Sequence, residues 1–258
     1  MVILRAVTSR RLLLCVSACA ALAAGLGSST AHAATAPTAL PSANPPDAQQ
    51  LSDERLVTRW AFPARTAHVF ARPSRRAHRV ARLHMLTEDR FPEVYLLLAR
   101  WIDPASGATW VRLRIPGRPN GRTGWVRSDA IRRPRTVHTF LDIDRHRLRA
   151  TLFRDGKVIF RSRIGVGKRS TPTPRGRFWI REKFRVGGHT LYGPRAMGTS
   201  AYAPTLTDWP GGGVVGLHGT NQPGLIPGRP SHGCIRFRNR DILRLYKLVP
   251  RGTPIRIH

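Results

Sequence analysis

Acidic residues and cysteines are the two scarcities of this chain. Its 258 residues carry 14 Asp+Glu against 44 Lys+Arg, a formal net charge of +30. All but four of those bases are arginine. Such an excess directs attention to a polyanionic partner, either nucleic acid or an anionic surface. No zinc-finger, basic-helix or RNP-type pattern accompanies it, which removes the nucleic-acid classes. Three cysteines are too few for a disulfide scaffold. With 41% hydrophobic residues, in apolar runs broken by turn signals, disorder throughout is also excluded.

Residues 1–33 have the anatomy of a secretory leader. Arg5, Arg10 and Arg11 form a basic start, Leu12–Gly27 is apolar or small, and Ala31-His32-Ala33 is a small-x-small cleavage site. The apolar run is short for a spanning helix, so no transmembrane segment is expected after cleavage. Val16-Ser17-Ala18-Cys19 offers lipidation as an alternative, disfavoured because the apolar run continues past Cys19. Cleavage after Ala33 takes Cys15 and Cys19 away and leaves Cys234 alone. A lone thiol in an oxidising compartment is a liability unless the protein uses it.

Residues 34–55, rich in Ala, Pro, Ser, Thr, Asp and Gln, read as a disordered linker. Over 56–134 the pattern is short strands: His68–Arg72, Arg79–Leu83, Glu93–Trp101, Thr109–Ile115 and Thr123–Arg127. Pro116-Gly117 and Asn120-Gly121 mark tight turns. From 135 to 258 strands recur: Leu148–Phe153 and Lys157–Ile164 flank Asp155-Gly156, a type I′ hairpin signal. Phe178–Phe184, Val214–Leu217 and Thr253–His258 follow. One helix is expected after Asn239 as N-cap, with Ile242, Leu243 and Tyr246 as its apolar face and Pro250 as its stop. The class is mainly β, with one or two short helices.

The chemistry concentrates in Ser231-His232-Gly233-Cys234-Ile235-Arg236. A cysteine nucleophile needs a base, donors for a developing oxyanion and room for an acyl group. His232 and Arg236 stand where their charge would lower the thiol pKa, and Gly233 lets the backbone approach a substrate. His218 lies 16 residues upstream at the end of an expected strand. Either histidine is placed to be the base. The remaining histidines show no ligand spacing, so no metal and no cofactor is expected.

These residues resemble the L,D-transpeptidases with a YkuD-type catalytic domain. The likeness rests on His218-Gly219-Thr220, the 16-residue gap, Ser231–Arg236, and then Asn239 and Asp241. Gly165-Val166-Gly167, Thr171–Phe178 and Leu191–Met197 fit the same pattern. Over 56–134, Trp110–Val126 resembles the end of bacterial SH3-like domains, with Trp110, Trp125 and Val126 read as core packing. The resemblance implies a small SH3-like β-barrel followed by a β-rich catalytic domain at 135–258.

It further implies an exported cell-envelope enzyme that cuts the L,D bond of a peptidoglycan tetrapeptide stem, releases D-alanine and passes the acyl group to an amine. Cys234 would be the nucleophile, His218 the proton donor and acceptor, and the Gly219 carbonyl its orienter. Backbone amides around His232, Gly233 and Cys234 would form the oxyanion hole. Arg236, Ser231 and Tyr192 would touch substrate, with Trp209 also near the cleft. The alternatives are an L,D-carboxypeptidase, or a wall-binding SH3-like protein with an inactive catalytic domain. A cysteine peptidase of the cell-wall type is disfavoured, since there the Cys precedes its His. Stem peptides and anionic wall polymers then replace nucleic acid as the expected acidic partners.

Overall fold

The computed structural model describes residues 44–187, 190–206 and 212–258. The leader over 1–33, the lipidation alternative at Cys19 and Trp209 fall outside them. The described residues form one compact unit. Among the described residues no helix is long and apolar enough to cross a membrane.

The first sheet contains β1 (Gln49–Gln50), β2 (Thr58–Ala61), β3 (His68–Phe70), β4 (Arg79–Arg82), β5 (Tyr95–Ile102), β6 (Thr109–Arg114), β7 (Thr123–Arg127) and β8 (Arg135–Val137). Its order is β4-β3-β7-β6-β5-β2-β8. The long β5 is shared along one edge: Tyr95–Leu97 pair with β2, while Ala99 and Arg100 pair with β1. Trp125 and Val126 show why the strands hold: successive side chains point to opposite faces. Val126 joins a core with Val69, Leu97 and Leu113, while Trp125 joins Phe70, Ala99 and Trp110. The packing role expected of Trp110, Trp125 and Val126 is what the structure has.

The second sheet contains β9 (Thr139–Asp144), β10 (Arg149–Arg154), β11 (Lys157–Arg163), β12 (Gly165–Gly167), β13 (Gly176–Arg185), β14 (Arg195–Tyr202), β15 (Val214–His218), β16 (Gly228–Ser231), β17 (Ile235–Arg236) and β18 (Pro254–Ile257). Its order is β11-β10-β9-β18-β13-β14-β15-β17-β12-β16. The expected β10–β11 hairpin is present, with positive φ at both Asp155 (50°) and Gly156 (75°), as a type I′ turn requires. The fold is mainly β, and its core gathers Leu141, Phe178, Leu217, Ile235 and Phe237 from across the sheet.

Three expectations need correction. The linker does not extend through 55: Gln49–Gln50 form β1, and Ser52 Oγ donates to Leu97 O at 2.5 Å. The buried Glu54 carboxylate meets Arg114 at 2.5 Å and Arg177 at 3.3 Å. Polar composition read as disorder because these side chains make specific bonds in place of apolar contacts. The boundary at 134 also moves, since β8 pairs with β2 and the first sheet runs to Val137.

The helix is α1 (Asn239–Leu248), but its N-cap is Arg238 and Asn239 lies inside. Its buried face is Ile242 and Leu245, one turn apart, while Leu243 stands 37% exposed a step around the axis. Lys183 Nζ closes the other end, donating to Tyr246 O at 2.6 Å and Val249 O at 2.7 Å.

The sheets meet at a small shared core of Trp60, Val94, Leu96, Val137 and Trp179. Trp179 Nε1 donates to Val94 O at 2.7 Å. Beside it, Arg181 (2% exposed) forms a two-pronged pair with Glu93 (1% exposed). The first sheet is therefore joined to the second by buried apolar and charged contacts.

Candidate active site

The 16-residue gap between His218 and Cys234 is explained by topology. From the end of β15 the chain passes over β17 and β12 to the edge, forms β16, and turns back into β17. β17 then lies parallel to β15, with Leu217 opposite Ile235 and His218 opposite Arg236. Strand alternation sends Leu217 and Ile235 into the core. His218, Cys234 and Arg236 consequently line one cavity of about 180 Å³ with Tyr192, Ser231 and His232. Six of the side chains expected at the site, Tyr192, His218, Ser231, His232, Cys234 and Arg236, thus line one cavity.

The returning turn is pinned around Gly233, whose φ of +127° favours glycine. Ser231 Oγ accepts the Gly233 N–H at 3.1 Å and donates to Cys234 O at 2.6 Å. Thr173 Oγ1 donates to Gly233 O at 2.7 Å while accepting the Gly167 N–H at 2.9 Å. Ser231 is buried and its hydroxyl braces the turn, with the Gly233 amide as one of its partners.

His218 is 3% exposed, and its Nδ1 lies 2.6 Å from Gly219 O. A carbonyl only accepts, so Nδ1 carries the proton and Nε2 has the lone pair. A Cβ on Gly219 would sit 2.4 Å from Asn239 Oδ1. That oxygen accepts the Thr220 N–H at 2.9 Å, fixing the turn that presents the Gly219 carbonyl. This use of Asn239 replaces the expected cap. The Tyr192 ring lies edge-on to the imidazole, with centroids 4.8 Å apart.

Burial governs the protonation of the pair. It pushes the Cys234 thiol up, against smaller opposing pulls from the Gly216 N–H (3.4 Å from Sγ) and Arg236. Burial likewise lowers His218 to about 4, assisted by Arg236 and opposed by the Gly219 bond. The resting pair at neutral pH is a thiol and a neutral imidazole. The lowered thiol pKa expected from His232 and Arg236 is therefore not found: desolvation outweighs Arg236, and His232 is exposed. Arg236 Nε is buried without a hydrogen-bond partner.

The first sheet holds one wall of this cavity. From the β6–β7 turn, Arg118 donates to Ala203 O (2.8 Å), Leu206 O (2.9 Å) and Gly212 O (2.9 Å). Asn120 exchanges two hydrogen bonds with the Tyr202 backbone. Ala203, Leu206 and Gly213 line the cavity. Sequence marked this turn only as a hairpin connection, and nothing local signals its distant partners. Thr173, by contrast, stood within a stretch already matched on resemblance.

A second cavity of about 290 Å³ reaches the same Cys234 and His218, lined also by Asp89, Glu182, Tyr192 and Gly198. Burial, reinforced by neighbouring Asp89, pushes the Glu182 carboxyl up to about 7.

Residues 138–257 match the L,D-transpeptidase catalytic domain family, YkuD. YkuD of Bacillus licheniformis is 35% identical over 127 residues, which are 49% of this chain and 70% of that protein. YkuD of Bacillus subtilis is 37% identical over 108 residues, 42% of this chain and 58% of that one. The catalytic domain of the Enterococcus faecium L,D-transpeptidase, a solved structure, is 27% identical, with 46% of this chain and 96% of that one covered at a TM-score of 0.35. Sequence identity over most of a relative's length, together with the family match, makes this chain a member of the L,D-transpeptidase family.

Proposed function

We propose that the protein is an exported peptidoglycan L,D-transpeptidase with Cys234 as nucleophile and His218 as base. The observation that carries this reading is the 2.6 Å bond from His218 Nδ1 to Gly219 O, at the end of a strand parallel to the one that follows Cys234. It leaves Nε2 as the basic atom on the strand next to the thiol.

His218 Nε2 takes the thiol proton as sulfur attacks the carbonyl of the L,D bond in a tetrapeptide stem. The amide of Cys234 is the donor proposed for the oxyanion, since that of Gly233 is engaged. The imidazolium then protonates the departing D-alanine amine, leaving a thioester. An acceptor amine attacks it and restores the thiol. Arg236, which lines this cavity, holds a carboxylate of the stem. Tyr192 forms the lip of the cavity and shields the imidazole.

The N-terminal sheet is read as an SH3-like module that braces the catalytic domain through Arg118 and Glu93. Residues 1–33 are read as the leader that delivers the chain to the envelope, where stem peptides and anionic wall polymers meet its positive charge.

Incubation with tetrapeptide stems, followed by chromatography, tests this function. Release of D-alanine together with cross-linked dimers is expected. Release without dimers would make the protein a carboxypeptidase, and absence of both products would remove the enzymatic reading.

A further inference from the structure

The first sheet has a cavity of its own, about 370 Å³, that shares no lining residue with the two at Cys234. Arg65, His68, Arg75, Arg79, Arg82 and Arg127 line it, and no acid among the described residues does. Two of these arginines reach it through an irregularity of pairing. β4 is an edge strand, and by simple alternation Arg79 and Arg82 would point to opposite faces. Against β3, however, Arg82 stands opposite His68 and Arg79 opposite Phe70, with a register shift between Val69 and Phe70. The bulge puts one extra residue on β4 and turns both arginines to one face. Phe70 in turn pairs with Trp125 of β7, and alternation puts Arg127 on the same side as Trp125.

These guanidinium groups are held in place but not neutralised. Arg127 lies over the Trp110 ring, 5.8 Å from its centroid, and Phe70 packs edge-on to Trp110 at 5.9 Å. The Arg127 Nε is buried and has no hydrogen-bond partner. Among the described residues no ion pair or side-chain hydrogen bond engages Arg75, Arg79 or Arg127. Arg82 has only a 3.5 Å contact to Thr66 Oγ1. Arg65 meets Asp129 at 2.9 Å, an exposed pair that contributes little. Edge arginines also keep β4 from pairing with another sheet, but that role requires neither the bulge nor Arg127. Cations gathered without partners repel one another, and a bound anion relieves that cost.

We propose that this cavity binds a chain of phosphodiesters, so that the N-terminal sheet holds the protein to a phosphate-bearing polymer. The site goes beyond the transpeptidase reading and involves neither catalytic cavity. Phosphate is favoured over carboxylate by the number of guanidinium forks: one fork satisfies both oxygens of a carboxylate, whereas the oxygens of a phosphate can be shared among several. A polymer is favoured over a single anion by where the cations come from. Arg65 lies between β2 and β3, Arg75 between β3 and β4, Arg79 and Arg82 on β4, and Arg127 on β7. Such a ring meets several charges of one chain at once.

The test is fluorescence anisotropy of a labelled oligomer of glycerol joined by phosphodiesters, titrated with the full chain. Arg79→Gln with Arg82→Gln is expected to weaken binding by about a hundredfold, two charge-assisted contacts at about tenfold each, and to flatten its salt dependence. Arg161→Gln with Arg163→Gln removes the same charge from the edge strand β11 and should leave binding within about threefold. All four positions are exposed, so folding is not at stake, and acylation of Cys234 by a carbapenem should be unchanged in both variants. Equal losses in the two variants would reduce the effect to net charge and overturn the site, as would absence of binding. Equal affinity for poly-glutamate of matched charge would make the partner an acidic peptide, and binding only to phosphatidylglycerol vesicles would make it a lipid headgroup; either result overturns the polymer. Oligomer binding that depends on Arg79 and Arg82 supports the site even if Cys234 is never acylated, so the two readings fail separately.

Discussion

Replacement of His218 by alanine is expected to slow acylation of Cys234 by about a thousandfold, within the range of a positioned general base. The effect is large because the thiol cannot ionise without help. Burial pushes its pKa up, and the Gly216 N–H and Arg236 recover only part of that cost. The pH profile carries the sign. As the proposed base His218 would act in its neutral form, and burial lowers its pKa to about 4. Acylation should therefore hold from neutral pH down to about 5 and decline only as pH falls through about 4. An ordinary histidine would lose activity near 6.5. Rapid-quench mass spectrometry across this range checks both points. An acid limb near 6.5 in the wild type would mean that the imidazole is solvated, or paired with a thiolate, at rest.

The second large effect concerns the joint between the sheets. Glu93→Ala is expected to cost about 3–5 kcal/mol, the usual consequence of leaving one member of a buried ion pair uncompensated. Arg181 Nε donates to Glu93 Oε1 at 2.8 Å, and both side chains are almost fully enclosed. Glu88 at 3.0 Å and the Tyr202 hydroxyl at 3.2 Å would remain to the guanidinium, too few for a charge so desolvated. For a domain of this size the melting temperature should fall on the order of 10 °C. The double change Glu93→Leu with Arg181→Met removes both charges, and recovery of most of the loss is expected. Thermal unfolding followed by circular dichroism measures both variants. A loss under 1 kcal/mol in Glu93→Ala would show that the pair does not hold the sheets together.

What could be read in the sequence follows physical range. The Asp155-Gly156 turn was legible because both residues need positive φ and the strands beside it are long enough to show their pattern. Thr123–Arg127 was legible as a strand after the Asn120-Gly121 turn, where Gly121 takes positive φ. β12, β16 and β17 hold two to four residues each, too short for periodicity, and they pair across wide sequence gaps. Cys234 and His218 stood out through their neighbours, but the buried state of the pair did not: charge near the thiol was visible, desolvation was not. Glu182 and Asp89 gave no sign, because 93 positions of chain and a second sheet separate them. Asn239 misled in the opposite direction. It has a favourable cap chemistry, which a distant turn uses first.

Cys234 is the residue proposed to form the covalent acyl-enzyme. Intact-protein mass spectrometry after incubation with a carbapenem tests it most directly. A mass increase of one drug molecule is expected in the wild type, and none in the Cys234→Ala variant. The same adduct on Cys234→Ala would contradict it.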